Sequence, residues 1–509
     1  MTKSVTTPDG FSGSYDPLRF WSRLSPDRIA LVDRERDRRL TYAELDAEVE
    51  RWTRFLRASG VEYGQRVATL AGNRGELVAL FFACGRLGAA LVPLNWRLSG
   101  VELRPMLADA APVLLLGEGR YRGLAEAAIE DGAPVRWVDL DDEAPRLPGH
   151  GSESGRVASV RMEDPVLILY TSGSTGQPKG AILSHRQVLF NAVATATAWE
   201  LGSADIAPVS TPFFHTGGWN VFATPLWHRG GTVVLTERFE PASFLTMLAE
   251  ERCTVAMAVP TQLLMLQESP RWGESLPSLR FLISGGAPCP PRVAERVHAS
   301  GYAFREGYGL TECGPNCFAT SNAEAARRPG SVGWPVPFLE MRLVAEDGRA
   351  VPPGEPGELR LRGPQLFSGY LNQPERTAEA FAAGGWLRTG DLAVQDADGA
   401  YRICGRQKEM YISGGENVFP GEVEAALLDC PGVAEVVVLG VPDPRWGEVG
   451  LAVVVQKPHA HLQEDEVICY ARARLAAYKV PKSVTIVEQV PRLGSGKLDR
   501  RALLAMLPQ

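Results

Sequence analysis

The stretch Thr171-Ser172-Gly173-Ser174-Thr175-Gly176-Gln177-Pro178-Lys179 carries the residue types of a phosphate cradle. Glycines free the backbone to turn its N–H groups toward an anion, the hydroxyls add donors, and Lys179 supplies a compensating charge. It is not a Walker loop, because Lys179 follows Pro178 and precedes Gly180 instead of standing in Gly-Lys-Ser/Thr. A plain Gly/Ser turn with a solvated lysine is the alternative. The apolar run Val166-Leu-Ile-Leu169 before it and two motifs after it weigh against that. In Glu306-Gly307-Tyr308-Gly309-Leu310-Thr311-Glu312, Tyr308 offers a face for a purine, and Glu312 is a hard oxygen ligand suited to Mg2+ on phosphates. Asp391, in Trp386-Leu-Arg-Thr-Gly-Asp391, follows a strand-like run and can accept hydrogen bonds from ribose hydroxyls. Alone, such an aspartate more often closes its own turn.

Elements that would position these groups alternate along the chain. Thr41-Tyr-Ala-Glu44 is a capping box, and Leu45, Val49, Trp52 and Leu56 recur at helical spacing until Gly60. Strand-like runs follow at Val67-Ala-Thr-Leu70, Leu91-Val-Pro-Leu94 and Val113-Leu-Leu-Leu116. This alternation predicts an α/β fold with layered, largely parallel sheets. Residues 145–159, polar and rich in Gly and Ser, are expected to form a surface loop. Glu358-Leu-Arg-Leu-Arg362 and Tyr401-Arg-Ile-Cys404 alternate at period two, as antiparallel strands with one exposed face would. Beyond Gly405 a compact α+β set is expected: a helix from Gly421, strands near Val436 and Val453, a helix from Glu464 and a strand at Val484. A large domain over 1–405 and a small one over 406–509 follow.

Size and composition bound the function. A chain of 509 residues exceeds one ordinary core, and 45% apolar with 22% charged residues is a soluble globular composition. With 53 Lys+Arg against 60 Asp+Glu, the formal charge of -7 argues against a general nucleic-acid binder. The first residues lack the apolar core of a secretory signal. The apolar stretch 77–94 is broken by Gly85, Arg86, Gly88 and Pro93, which reads as a buried helix and strand, not a membrane span. Eight scattered cysteines contain no CxxC pair. Cys313-Gly-Pro-Asn-Cys317 comes nearest to a metal clip but lacks a second ligand pair, so reduced thiols of a cytoplasmic protein are expected.

Taken in order, the loop at 170–180, Tyr308-Gly-Leu-Thr-Glu312, Thr389-Gly-Asp391, Gly405-Arg406 and Gly494-Ser-Gly-Lys497 resemble the adenylate-forming superfamily of acyl-CoA synthetases, luciferases and nonribosomal adenylation domains. The resemblance spans essentially the whole chain. It implies an AMP-forming ligase that joins a carboxylate to the α-phosphate of ATP, releases pyrophosphate, and passes the acyl group to CoA. The implied fold is a large domain of layered parallel sheets and helices with a small β-barrel-like part, followed by a small mobile α+β domain. Residues 171–176 and Lys179 would hold the phosphates, with Glu312 on Mg2+. Gly285, Gly286, Ala287, Pro288, Glu306, Gly307, Tyr308, Gly309 and Thr311 would border the nucleotide, and Asp391 and Arg406 would hold the ribose. Lys497 would bridge carboxylate and α-phosphate as charge builds in the transition state. Lys408 stands at the hinge position, and Ser413, Gly414 and Gly415 would line the thiol's approach after the small domain rotates.

The same resemblance sets His215 against the acyl carboxylate, in Pro212-Phe-Phe-His-Thr-Gly-Gly-Trp219. Gly217, Gly218, Gly285 and Gly286 would leave room for the acyl group. Trp219 is either an aromatic gate over an alkyl tunnel or a plain core residue. Amino-acid-activating relatives carry an aspartate in this region, and no acid stands between Asp205 and Glu237 here. A medium- or long-chain fatty acid is the favoured substrate, with an aryl acid of the feruloyl or benzoyl type as the alternative. Free CoA is preferred over a carrier protein as acceptor, with Lys479 a candidate partner for its phosphates. Whether the protein works as a monomer or a homodimer is left open.

Overall fold

The computed structural model describes residues 16–129, 135–143, 160–172, 178–414, 416–493 and 498–506. The expected surface loop at 145–159 lies outside them. Local signals act as read. Thr41 caps the helix Tyr42–Ala58: its hydroxyl accepts from Glu44 N at 3.2 Å, and its own N–H donates to Glu44 Oε2 at 2.8 Å. Such a cap contributes about 1 kcal/mol. The apolar stripe Leu45, Val49, Trp52 and Leu56 is fully buried, and the chain turns away at Gly60 with φ 86°. The helix Gly75–Leu87 is buried along its whole length and leads into the strand Ala90–Pro93. Among the described residues, no helix is long and apolar enough to cross a membrane.

Three sheets carry the body's functional loops. The seven-stranded sheet runs in the order Gly369–Tyr370, Pro178–Ser184, Pro165–Ser172, Ala90–Pro93, Arg66–Leu70, Leu114–Gly117, Arg136–Asp139. Its last five strands are parallel, as the βα alternation requires, and its first two pair antiparallel. A four-stranded sheet holds Ile206–Val209 and Thr232–Leu235 in parallel beside Ile29–Asp33. A three-stranded parallel sheet pairs Val255–Met257, Phe281–Ser284 and Phe304–Glu306. Ligands gather at the carboxyl ends of such parallel strands, and these ends lead into Val259, Gly285 and Gly307.

An antiparallel five-stranded sheet follows, built on Pro356–Arg362 and Trp386–Gln395. The strand Pro356–Arg362 departs from the expected exposed face. The charged side of 358–362 is not an exposed face: Glu358 and Arg360 are 8% and 9% exposed and pair at 2.8 Å. The strand is central, flanked by Glu340–Val344 and Trp386–Gln395, so its polar side chains satisfy each other instead of water.

The last part holds the helices Pro420–Leu428 and Glu464–Arg472 and the strands Val433–Asp443, Gly447–Gln456 and Ser483–Val487, at the expected places. A short hairpin, Tyr411–Ser413 with Glu416–Val418, was not foreseen. Tyr411, Val418, Val423, Val438, Val454 and Val467 form part of a separate core that contains no residue before 411.

Candidate active site

The cradle segment joins two strands that pair antiparallel, Pro165–Ser172 and Pro178–Ser184. Thr171 lies opposite Lys179 and Ser172 opposite Pro178, so both ends are fixed by the ladder. Gly173, Ser174, Thr175 and Gly176 lie outside the described residues. A strand follows Lys179 at once, so no helix begins at this lysine as in a Walker loop. Thr171 Oγ1 lies 3.5 Å from Lys179 O. Lys179 Nζ sits over the Tyr370 ring, 4.9 Å from its centroid, and the Tyr370 hydroxyl donates to Glu312 Oε1 at 2.8 Å. Desolvation first and the charge of Arg376 second hold the ammonium below its ordinary range, with Glu312 pulling the other way. Tyr370 thus joins two motifs far apart in the chain. The sequence offered no local sign of it, because its place depends on the pairing of Tyr370 with Ala181.

A second cluster forms around Asp391, which is 4% exposed. Tyr308 Oη donates to its Oδ2 at 2.5 Å, and Arg406 Nε meets its Oδ1 at 2.7 Å. Register explains the meeting, since Asp391 and Arg406 are paired across adjacent strands. Thr389 Oγ1 accepts from Asp391 N at 3.0 Å and donates to Leu359 O at 2.6 Å, which fixes the carboxylate's backbone. Burial raises the Asp391 carboxyl above the usual range, and Arg406 opposes it. Tyr308 and Glu312 lie in one short segment, and each is bonded into one of the two clusters, so the clusters border one site.

Glycines of the nucleotide motifs are there for close approach. A Cβ on Gly309 would lie 2.3 Å from Gly314 O, which no neighbouring backbone could yield. Gly286 has φ 82°, a left-handed value that favours glycine. Gly307 N donates to Ser284 O at 2.7 Å, Ala287 and Pro288 are exposed, and the carbonyl of half-buried Thr311 accepts from Gln187 Nε2 at 3.2 Å. Glu306 Oε1 accepts from Gly330 N at 2.8 Å, and burial pushes this carboxyl up to about 7.

His215 precedes the short helix Thr216–Asn220, half-buried, with its ring 4.6 Å from that of Phe214. Its loop is held by Asn73, a residue that no sequence motif marks. Asn73 Nδ2 donates to Val209 O, Thr211 O and Thr236 O at 3.3, 3.0 and 3.2 Å, and its Oδ1 accepts from Phe213 N at 3.0 Å. Trp219 is fully buried, stacked between Phe213 at 4.0 Å and Phe81 at 4.8 Å, with Nε1 donating to Phe213 O at 2.6 Å. That is the packing of a core tryptophan. Gly218 borders no open space either: a Cβ there would lie 2.7 Å from Thr211 O and 2.8 Å from Pro212 O. A Cβ on Gly217 would lie 3.3 Å from Thr211 Cγ2 and 3.9 Å from Met257 Cε, and one on Gly286 would lie 3.9 Å from Val259 Cγ1.

In the last part, Ser413 is buried and Gly414, at φ 62°, donates its N–H to Trp446 O at 2.9 Å; Gly415 lies outside the described residues. Lys479 Nζ is paired with Glu422 at 2.5 Å, so a ligand phosphate would have to compete with that carboxylate. Lys408 follows the strand Tyr401–Arg406, and its charge reaches Lys179. Lys497 lies outside the described residues, between Arg492 and Leu498, which form an antiparallel bridge. Cys313 and Cys317 are buried with their sulfurs 3.2 Å apart.

A model of the AMP-binding enzyme family matches residues 18–371, and one of the AMP-binding enzyme C-terminal domain matches residues 422–497. The chain belongs to this family, within the adenylate-forming superfamily that its motifs resemble. Its reaction class is AMP-forming acid–thiol ligation, with ATP and CoA as co-substrates. Among curated proteins it is similar to a feruloyl-CoA synthase of Amycolatopsis sp, 42% identical over 94% of this chain and 95% of that one. It is 40% identical to an indoleacetate–CoA ligase of Aromatoleum aromaticum, over 95% and 96%. It is 34% identical to a long-chain-fatty-acid–CoA ligase of Mycobacterium tuberculosis, over 96% and 97%. Among solved structures it resembles ATP-bound MatB from Rhodopseudomonas palustris, with a TM-score of 0.87 and 32% identity over 96% of this chain and 98% of that one.

Proposed function

We propose that the protein is an aryl-acid–CoA ligase. A carboxylate oxygen attacks the α-phosphorus of ATP, the bond to the bridging oxygen breaks, and pyrophosphate leaves. The sulfur of CoA, its proton lost to solvent, then attacks the acyl carbon and AMP leaves. The observation that carries the reading is the meeting of Lys179, Tyr370 and Glu312 with Tyr308, Asp391 and Arg406 at one site. One cluster offers a cation beside the cradle segment, and the other a buried carboxylate for a ribose diol.

In this reading residues 171–176 and Lys179 hold the β- and γ-phosphates, and Asp391 with Arg406 holds the ribose. Gly285, Gly286, Ala287, Pro288, Gly307 and Tyr308 border the base, and Glu306 supports their loop. Mg2+ on the phosphates would be met by Glu312, where it would offset the charge of the departing pyrophosphate. The residue fits: Tyr370 engages Oε1, and among the described residues no hydrogen bond is made to Oε2. His215 orients the acid. Lys497 stabilises the transition state of the first step. The domains divide just after the strand Tyr401–Arg406, one residue beyond the boundary expected from sequence, Lys408 absorbs the rotation between steps, and Ser413 to Gly415 then line the path of the thiol.

For the acid, an aryl compound is favoured over the fatty acid expected from sequence. The relatives named for aryl substrates stand at 42% and 40% identity, against 34% for the fatty-acid ligase. Trp219 also packs as core between Phe213 and Phe81, which supports this reading over an aromatic gate for an alkyl chain. A flat ring would lie between Gly217 and Gly285–Gly286, against Thr211, Met257 and Val259. The test is thioester formation across substituted cinnamates, arylacetates and fatty acids of graded length. Preference for an aryl acid supports the assignment, and preference for a long alkyl chain overturns it.

A further inference from the structure

The geometry points to Arg376 as a second cation for the departing pyrophosphate, acting beside Lys179. Arg376 stands in the first turns of the helix Pro374–Ala380, which follows the strand Gly369–Tyr370 almost at once. Thr377 ties this helix to the site, accepting from Tyr370 N at 2.8 Å. Arg376 Nη1 is buried, and among the described residues it has no hydrogen-bond partner. Its charge acts on the Lys179 ammonium and on the Tyr370 phenol.

Two cations held near each other, one with a buried unpartnered N–H, make an unfavourable arrangement in an empty site. Lys179 Nζ lies over the Tyr370 ring, and the charges acting on it include Arg376, Glu312, Lys408 and Glu379. Glu312 already accepts the Tyr370 hydroxyl, and among the described residues Arg376 Nη1 has no carboxylate partner. A ligand with several negative oxygens, seated between Lys179 and Arg376, relieves both the repulsion and the orphaned donor. A planar guanidinium suits a phosphate oxygen pair in a way an ammonium does not.

This inference rests on the assignment of the Thr171–Lys179 segment to the β- and γ-phosphates. The experiment measures inhibition by inorganic pyrophosphate against ATP, and pyrophosphate–ATP exchange, in wild type, Arg376→Gln and Arg376→Lys. The second half-reaction, from synthetic acyl-AMP and CoA, is measured alongside. Arg376→Gln should weaken pyrophosphate binding about ten- to a hundredfold. It should slow exchange while leaving acyl-AMP conversion unchanged, because that step does not involve the β- and γ-phosphates, and the melting temperature of the ligand-free protein should hold or rise as the repulsion with Lys179 is relieved. Arg376→Lys should recover part of the loss. Unchanged pyrophosphate binding in Arg376→Gln, or equal loss in both half-reactions, overturns the role of Arg376. If pyrophosphate does not compete with ATP even in wild type, the segment's own assignment falls first.

Discussion

Glu306 titrates in a window set by its burial, and Glu306→Gln tests that directly. Desolvation raises its carboxyl to about 7 from the ordinary 4.5, with Gly330 N–H and Arg402 opposing. A carboxyl whose folded pKa exceeds its unfolded value keeps a proton in the fold that the unfolded chain has released. Its contribution is therefore fullest below 4.5 and is lost as pH rises through about 7. Roughly 2.5 units at about 1.4 kcal/mol each, reduced somewhat for partial exposure, make the loss about 2 to 3 kcal/mol. Glutamine keeps an oxygen for Gly330 N–H and cannot ionise. The variant should be more stable than wild type by about 2 to 3 kcal/mol near pH 8, and by under about 1 kcal/mol near pH 5. Urea unfolding followed by tryptophan fluorescence at the two pH values measures this. A stability difference that does not change with pH, or a variant weaker than wild type near pH 8, would refute the reasoning.

Two further outcomes concern the reaction. Lys497→Ala should cut the first half-reaction by about a hundredfold or more while conversion of synthetic acyl-AMP to thioester stays comparatively intact; equal loss of both steps would contradict the division of labour. Trp219→Ala should lower stability by about 3 to 5 kcal/mol through the cavity it leaves between Phe81 and Phe213. Its acid preference should be unchanged, whereas a shift toward longer chains at unaltered stability would restore the gate.

Much of the fold was legible where the determinants are local. The Thr41 cap, the strands near Val67 and Leu91, and the helix-and-strand order after residue 410 follow from capping chemistry and short-range periodicity. The pairing of Glu358 with Arg360 was not legible, because period two says which residues share a face but not what covers it. The site divides the same way. Lys179, Tyr308, Glu312 and Asp391 are marked by residue type within their motifs, and Arg406 by the family resemblance of Gly405-Arg406. Tyr370 and Asn73 do not, since one depends on a strand pairing and the other on three carbonyls brought together by the loops after separate strands. Gly218 looked like open space and is a packing glycine, a distinction set by Thr211 and Pro212 carbonyls that no spacing rule reveals.

The most direct test of the central claim follows one oxygen atom. An aryl acid labelled in its carboxylate with heavy oxygen is turned over with ATP and CoA, and the nucleotide product is analysed by mass spectrometry. Attack by the carboxylate on the α-phosphorus predicts AMP carrying one labelled oxygen, with unlabelled pyrophosphate. Label in inorganic phosphate with ADP as the nucleotide, or AMP without label, would contradict the account.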